Sequence, residues 1–433
     1  MNNQRLIVLV LVILLTGCKA PIKTSKFGSV DSKSPSIILD SVGENILVKL
    51  LKSQNDQFRS IMENPDYKIQ VVYSQIDRNE DGKAQFHDYY YRIDDSNYFY
   101  PASTVKLPVA ALALQKLNEL QVKDLDKNSM MISEATYSGQ TEVYNDPSSA
   151  DGNPSIAHYI KKILLVSDND AYNRLYEFLG QEYINNSLHN MGYTDVQIIH
   201  RLEISLTEDE NRHTNPVKFF DTSGKLVYEK PLEESRMTYA ARDTKLGKGF
   251  YRSSEMINEP FDFSKKNRMT LKTLHNIVRS ILFPESVPEK QRFNLTEDDY
   301  VLLRRYMSMT PPESDFPYYE KENYWDNYVK FLFYGAEKEK SMEGVRVFNK
   351  PGDAYGFLTD AAYIVDFKNN IEFLVAATIY CNSDGILNDN KYDYEEIGLP
   401  FMKKLGRKIY EFELNRKRKV KPTLSHFQFD YGQ

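Results

Sequence analysis

The sequence predicts an α+β fold, with a five-stranded antiparallel sheet flanked by helices and an all-helical subdomain beside it. Of the 433 residues, 41% are hydrophobic and 27% are charged, a globular composition that can bury a sizeable core. Two strand-like runs lie near the beginning of the chain and three near its end, and most helical runs lie between them. Strands that are grouped in this way, rather than alternating with helices, indicate the α+β class.

The first elements are a helical segment over residues 41–64 and two strands over residues 67–76 and 84–93. The acidic segment between the strands, residues 77–82, has the spacing of an EF-hand calcium loop. Its flanks are strand-like, however, and its Asp-Gly pair favours a tight turn. We therefore predict a β-hairpin here rather than a calcium site.

Helices and then strands fill the rest of the chain. Helical periodicity predicts helices over residues 103–120, 156–179, 270–282, 297–309 and 393–415. Three sequential antiparallel strands are predicted over residues 344–349, 357–366 and 371–381. The segment after Asn415 is locally basic and is interpreted as a solvated end.

The first residues indicate an export signal. Arg5 precedes an apolar run over residues 6–15, which as a helix would span about 15 Å and is too short for a bilayer core of about 30 Å. Residues 15–18 read Leu-Thr-Gly-Cys and resemble the lipobox of bacterial lipoproteins, in which the cysteine is lipidated. The alternative is an ordinary secretory signal with an incidental cysteine. Once Cys18 is acylated, Cys381 has no disulfide partner and is interpreted as a small buried hydrophobe.

These boundaries divide the chain into four predicted parts. They are a lipoprotein signal peptide over residues 1–17, a flexible tether over 18–40, one large domain over 41–415 and a basic tail over 416–433. The domain is expected outside the cytoplasm, held to the cell envelope by the lipid on Cys18. Lys plus Arg number 55 and Asp plus Glu number 61, a net charge of −6 that excludes a basic chain built to wrap nucleic acid.

Three short motifs lie in order along the domain: S-x-x-K from Ser103 to Lys106, S-D-N from Ser167 to Asn169, and Lys350-Pro351-Gly352. Helix spacing puts Ser103 and Lys106 one turn apart on one face. A serine hydroxyl needs an adjacent base to become a nucleophile, and an amine can serve when burial or a nearby cation such as Lys350 lowers its pKa. Taken alone, Ser103 could be a plain N-cap and Lys106 a solvated side chain.

The set of motifs resembles the serine β-lactamase and penicillin-binding superfamily, and it is most similar to the class A β-lactamase branch. The likeness extends over most of residues 41–415 and includes residues 154–173, 200–203 and 212–214. The resemblance implies no cofactor and no metal. It implies the following roles: Ser103 as acylated nucleophile, Lys106 as its base, Ser167 as proton relay, Asn169 and Gly352 in substrate binding, Lys350 for electrostatics, and the N–H groups of Ser103 and Asp353 as oxyanion hole.

The sequence departs from that family in two ways. Class A enzymes carry a water-activating Glu in the omega loop, and counting from residues 201–203 puts that position on Leu206. Glu208 or Glu210 could supply the deacylation base from a rearranged loop, or both could be surface carboxylates. The middle residue of the third motif is Pro351, which lacks the hydroxyl that helps to bind a carboxylate, and Asp353 adds a negative charge.

Two additions also distinguish the chain, one over about residues 217–266 and one near residues 311–337 that is rich in Tyr and contains Trp325. They could shape a cleft for a larger peptidoglycan-like substrate, bind a partner, or be structural elaborations.

The predicted function is a serine hydrolase that forms an acyl-enzyme at Ser103 and opens β-lactam rings or related cell-wall amides, with slow deacylation if no base replaces the missing Glu. The alternatives are a D,D-peptidase or penicillin-binding protein that acts on peptidoglycan peptides, and a non-catalytic envelope binding protein. The expected partners are a β-lactam or peptidoglycan-derived substrate and, through the lipid anchor, a membrane.

Overall fold

The computed structural model describes residues 45–52 and 56–432. The predicted signal peptide, Cys18 and the tether lie outside these residues, so their boundaries stay predictions. The described residues form one compact unit. Within the described residues, no helix combines the length and the apolar character that crossing a membrane requires.

The strands are, in chain order, β1 (Gln70–Arg78), β2 (Ala84–Tyr91), β3 (Met130–Ser133), β4 (His213–Thr214), β5 (Val217–Phe220), β6 (Leu226–Lys230), β7 (Glu233–Glu234), β8 (Lys245–Leu246), β9 (Gly249–Arg252), β10 (Glu255–Ile257), β11 (Phe261–Asp262), β12 (Val345–Asn349), β13 (Gly352–Ala354), β14 (Phe357–Asp366), β15 (Ile371–Tyr380) and β16 (Ile386–Leu387). The α-helices are α1 (Ile46–Lys52), α2 (Asp56–Glu63), α3 (Lys106–Leu120), α4 (Ile156–Val166), α5 (Asn169–Leu179), α6 (Gln181–Asn190), α7 (Glu208–Arg212), α8 (Leu271–Leu282), α9 (Glu297–Ser308), α10 (Phe331–Tyr334) and α11 (Leu399–Asn415).

The main sheet has the order β12-β14-β15-β1-β2, and the short strand β13 pairs with β14 outside this path. All these pairings are antiparallel. The prediction of an α+β fold with a five-stranded antiparallel sheet is confirmed, with β13 as a sixth strand. The segment over residues 77–82 closes the β1–β2 hairpin, where the Asn79 N–H donates to the Lys83 carbonyl over 3.1 Å.

The sheet is covered on both faces, which explains why β14 and β15 are buried along all their residues and are mostly apolar. Alternate residues of β14 face opposite sides: Tyr363 packs in the same cluster as α8, and Ile364 packs in the cluster that contains α11. Cys381 follows β15 and is buried as a free thiol, as predicted.

The helical region is built around α3. This helix is buried along most of its length, consistent with its near-continuous apolar sequence. Helices α4, α5 and α6 contact it, and α9 packs against α4. The chain segment that enters α3 and the segments that leave α4 and β12 converge at the boundary between helical region and sheet, which is where the three motifs meet.

The insertion over residues 217–266 forms several small sheets. Strands β5 and β6 extend β3, β7 pairs with β4, β8 with β11, and β9 with β10 and β16. The tail also differs from the expected solvated end, because Leu424 and Phe427 are buried in the core. Its basic residues Arg416 and Arg418 both pair with the buried Glu413 instead of standing in solvent.

Candidate active site

Ser103 lies in a single 3₁₀ turn, Ala102–Val105, directly before α3. The turn is closed by Thr104, whose hydroxyl donates to the Pro101 carbonyl over 2.6 Å. Ala102 has a φ of 45°, a left-handed value that costs an alanine free energy and is common at functional sites. Ser103 is half-buried, and its hydroxyl forms no hydrogen bond with the rest of the described chain, which leaves it available to a ligand.

Lys106, at the start of α3, is completely buried. Its Nζ donates to the Ser167 carbonyl over 2.5 Å, to the Ser167 Oγ over 3.2 Å and to the Asn169 Oδ1 over 2.6 Å. Burial, and after it the positive charge of Lys350, hold the pKa of Lys106 well below its usual range. A lysine in this state supplies a neutral amine that can accept a proton.

The S-D-N motif forms the turn between α4 and α5. Ser167 ends α4 with a φ of 60°, a left-handed residue of the kind that terminates helices. Asp168 caps α5, because its carboxylate accepts from the Ala171 N–H over 2.8 Å. The sharp turn directs Ser167 and Asn169 back toward Lys106, so local chain geometry brings the first two motifs together.

Lys350 enters the site from the end of β12 and is also fully buried. Its Nζ donates to the Ser167 Oγ over 2.8 Å and to the Pro351 carbonyl over 2.8 Å. Burial lowers the pKa of Lys350 to about 7, against the opposing negative charges of Asp360 and Asp353. The Ser167 hydroxyl therefore lies between two amines and can pass a proton from one side to the other.

Strand β13 brings Gly352 directly against the serine turn. A Cβ on this residue would lie 2.7 Å from the Ser103 N, 2.8 Å from the Thr104 N and 2.9 Å from the Pro101 O. Only glycine permits this approach. Asp353 follows and is exposed to solvent. The dense protein around its carboxyl still desolvates it and raises its pKa, against the opposing charges of Lys350 and Lys106.

Glu203 also contacts the site, and the sequence argument did not assign it a role. The Asn169 Nδ2 donates to the Glu203 Oε2 over 2.5 Å, so the carboxylate joins the hydrogen bonds that begin at Lys106. Glu203 has a φ of 66°. The Arg201-Leu202-Glu203 triplet, which resembles the entry to the family's omega loop, was the signal that could have pointed to Glu203.

The loop that carries Glu203 is anchored by Arg201, whose guanidinium is buried. Its Nε donates to the Glu177 Oε1 over 2.8 Å, and its terminal nitrogens donate to the Glu210 carbonyl, the His213 carbonyl and the Asn215 Oδ1. One side chain thereby ties the start of the loop to its end and to α5. This explains how a short, partly exposed loop can hold a carboxylate at a defined place.

The structure does not bring Glu208 and Glu210 to Ser103 or Lys106. Glu208 pairs with Arg212 over 3.1 Å and with Lys265 over 2.8 Å, and these partners lower its pKa. Glu210 forms a capping box with Thr207 at the start of α7 and accepts from the Ser138 hydroxyl over 2.7 Å. Both carboxylates therefore stabilise the loop and α7 through these contacts.

The described residues contain no group of His, Cys, Asp and Glu side chains suited to hold a metal ion. The remaining predicted residues, Ser103, Lys106, Ser167, Asn169, Lys350, Gly352 and Asp353, come together at one place. The arrangement offers the free Ser103 hydroxyl, the amines of Lys106 and Lys350 with their lowered pKa values, and the Ser167 hydroxyl between these amines. The Glu203 carboxylate accepts a hydrogen bond from Asn169. These are the groups that acyl transfer through a serine requires.

Comparisons with known proteins show what this chain is similar to. Residues 54–245 match the model of a family described as "Beta-lactamase enzyme family". A comparison with curated proteins finds no match. Similar solved structures include a β-lactamase from Burkholderia vietnamiensis (13% identity, TM-score 0.48, covering 87% of this chain and 100% of that one) and a class A β-lactamase from Clostridium kluyveri (16% identity, TM-score 0.45, covering 83% and 99%).

The matched residues include the serine turn, the S-D-N motif and Glu203. The resemblance that the three motifs indicate is thus confirmed at the level of the superfamily: over residues 54–245 this chain is similar to the beta-lactamase enzyme family.

Proposed function

We propose that the chain is a serine hydrolase that forms an acyl-enzyme at Ser103 and opens β-lactam rings or related cell-wall amides. The observation that carries the proposal is the continuous set of hydrogen bonds from Lys350 through Ser167, Lys106 and Asn169 to Glu203, beside a serine hydroxyl without a partner of its own in the described chain. Such a network holds protons where an acyl transfer needs them.

In the acylation step, the neutral amine of Lys106 takes the proton from the Ser103 hydroxyl as its oxygen bonds to the substrate carbonyl carbon. The carbonyl oxygen becomes an oxyanion, which backbone N–H groups at Ser103 and Asp353 are placed to stabilise. The C–N bond then breaks. Ser167 gives its proton to the leaving nitrogen and receives the one that Lys106 took, so the net transfer is from Ser103 to the leaving group.

In the deacylation step, Glu203 takes a proton from a water molecule whose oxygen attacks the acyl carbon. The bond between the acyl carbon and the Ser103 oxygen breaks, and the proton returns to that oxygen. The contact between Glu203 and Asn169 supports this role, because it holds the carboxylate within the same network as Lys106. This contact favours faster deacylation than a site without a base would give.

The test is a time course of a labelled penicillin on the purified domain, followed by intact mass beside the Ser103→Ala variant. We expect a single adduct on the wild-type chain and none on Ser103→Ala. The variant should stay folded, because the hydroxyl makes no hydrogen bond in the described chain. Rapid loss of penicillin with a transient adduct supports a β-lactamase, and an adduct that lasts for hours supports the penicillin-binding alternative. Labelling that persists in Ser103→Ala would overturn the proposal.

We also propose that Cys18 is lipidated and attaches the domain to the cell envelope, on the basis of the lipobox-like residues 15–18. The check is cell fractionation of the full chain beside Cys18→Ala. Wild-type protein is expected in the membrane fraction, and the variant is expected to lose the lipid mass and leave that fraction. Equal membrane association of both would contradict the proposal.

A further inference from the structure

The part of the site that follows the third motif carries a carboxylate that the acylation chemistry does not use. Gly352 lies against the Ser103 amide, so the next residue, Asp353, stands beside the place where the substrate carbonyl must lie. The Asp353 side chain is exposed and forms neither a hydrogen bond nor an ion pair with the other described residues. It is a negative charge at the site with no partner in that part of the chain.

The cations near Asp353 are already engaged. Lys350 Nζ donates to Ser167 and to the Pro351 carbonyl, and Lys106 Nζ donates to Ser167 and Asn169. Pro351 has neither a hydroxyl nor an N–H to offer to an anion. An incoming carboxylate would therefore meet Asp353 without a free positive group in this strand, and its desolvation would be poorly compensated.

Tyrosine rings of the addition near residues 311–337 pack against one another. Tyr319 and Tyr324 have ring centroids 4.9 Å apart, and Tyr324 and Tyr328 have centroids 5.1 Å apart. After burial, the negative charge of Asp168 contributes to the raised pKa of Tyr319, and those of Tyr324 and Asp353 to that of Tyr328. Tyr319 is therefore within electrostatic range of Asp168, and Tyr328 is within electrostatic range of Asp353. Aromatic faces attract cations, and one ring of the same segment, Trp325, already has the Lys338 Nζ 4.7 Å from its centroid.

We propose that the site takes acyl donors that carry a protonated amine, rather than a carboxylate, beside the scissile carbonyl, and that Asp353 is the residue that selects them. This inference rests on the proposed acylation at Ser103. The addition near residues 311–337 then has a role, since its tyrosines supply the aromatic side of a subsite for a cationic group. The ligand class is an amide or lactam that bears an ammonium group, such as a peptide with a free amine.

The experiment uses three synthetic acyl donors with the same acyl group and with leaving groups that differ only in bearing an ammonium, a carboxylate or a neutral amide. The second-order rate of adduct formation on Ser103 is measured by intact mass at pH 7. We expect the ammonium donor to react faster than the carboxylate donor by roughly tenfold, the order of a partly exposed charge interaction. In Asp353→Asn this ratio should fall to about one.

Two further variants make the result specific. Asp81→Asn removes an exposed carboxylate from the turn between β1 and β2 and should leave the ratio unchanged. Pro351→Thr introduces the hydroxyl that the strand lacks and should accelerate the carboxylate donor relative to the ammonium donor. A wild-type ratio at or below one, with the neutral donor still acylating Ser103, overturns the inference and leaves the proposed function standing. Failure of all three donors to acylate Ser103 overturns both.

Discussion

Glu203 occupies a left-handed conformation that a glutamate rarely adopts, with a φ of 66°. Such a residue costs roughly 1–3 kcal/mol of stability and persists only where the surroundings hold it. Here the anchor is Arg201, two residues earlier, through its buried pair with Glu177. In this conformation the Glu203 carboxylate accepts a hydrogen bond from Asn169. A carboxylate held at such a cost is the one we expect to take part in catalysis.

Replacing Glu203 tests that expectation. In Glu203→Gln the amide cannot accept a proton from water, so acylation should proceed while deacylation slows by roughly 10²-fold or more, in line with the loss of a general base. The measurement is the lifetime of the penicillin adduct by intact mass. Glu208→Gln and Glu210→Gln are matched controls on the same loop and should change that lifetime by less than about twofold. If the adduct lifetime is longer in Glu208→Gln or Glu210→Gln and unchanged in Glu203→Gln, the substituted control residue is the deacylation base instead of Glu203.

The two buried lysines affect each other, and the effect has a definite sign. The positive charge of Lys350 is the second cause, after burial, of the lowered pKa of Lys106. Lys106 must be neutral to accept the Ser103 proton, so acylation should rise with pH as Lys106 loses its proton. In Lys350→Met the repulsion disappears and the pKa of Lys106 rises, because the ammonium form is less disfavoured.

We therefore expect the rising limb of the rate of acylation against pH to move to higher pH in Lys350→Met. The measurement is the second-order rate of adduct formation between pH 5 and pH 10. Lys330→Met is the control, since Lys330 is equally buried but bonds to the Met307 carbonyl and to Asn349 instead of Ser167. If the rising part of the pH profile stays in place or moves to lower pH in Lys350→Met, the charge of Lys350 does not lower the pKa of Lys106.

At the scale of elements, the site depends on the contact between strand β13 and the serine turn. The backbone of Gly352 lies so close to Ser103 and Thr104 that no side chain fits between them. A Gly352→Ala substitution must push β13 away from the turn or distort the turn itself, because the clashing atoms belong to the backbone. The expected cost is about 1–3 kcal/mol of unfolding free energy, together with at least a tenfold loss in the rate of acylation.

Urea unfolding and the adduct rate, measured on the same preparation, check this expectation. Gly82→Ala is the comparison: it has a φ of 77° and open space around it, so it should cost backbone strain alone and leave acylation unchanged. If Gly352→Ala acylates at the wild-type rate, the close approach of β13 has no role in the chemistry.

At the scale of the whole molecule, the last residues complete the core. Phe427 is buried, and its ring lies 5.2 Å from Phe283, 5.5 Å from Phe348 and 4.7 Å from Tyr363, measured between centroids. These three residues come from the end of α8 and from strands β12 and β14. The tail therefore packs between α8 and the main sheet, which are distant from it in the sequence.

Phe427→Ala should lower the free energy of unfolding by about 3–5 kcal/mol, as deletion of a buried aromatic ring usually does. Denaturant unfolding is the measurement, and the adduct rate of the folded fraction should be unchanged because Phe427 does not contact the site residues. His426→Ala, at an exposed neighbouring position, should change stability by no more than about 0.5 kcal/mol. Equal stability of the two variants would show that the tail is the solvated end which its basic composition suggests.

The sequence by itself determined the elements that local patterns control. The alternation of β14 and β15, the apolar length of α3 and the order of the three motifs were all readable, because each depends on residues close in the chain. They were sufficient to predict the α+β fold, the antiparallel sheet and the meeting of Ser103, Lys106, Ser167 and Lys350. The joint presence of S-x-x-K, S-D-N and Lys350 was informative because this combination resembles the motif set of the serine β-lactamase and penicillin-binding superfamily.

Only the tertiary structure decided which carboxylate of the loop contacts the candidate site and what surrounds it. The left-handed backbone of Glu203, the engagement of Glu208 and Glu210 with Lys265 and Thr207, and the burial of Phe427 depend on groups distant in the chain. Sequence periodicity and motif spacing do not predict such contacts, because they depend on which distant residues the fold brings together. The sequence likewise showed that Asp353 is charged, but only the fold shows that it follows Gly352 beside Ser103.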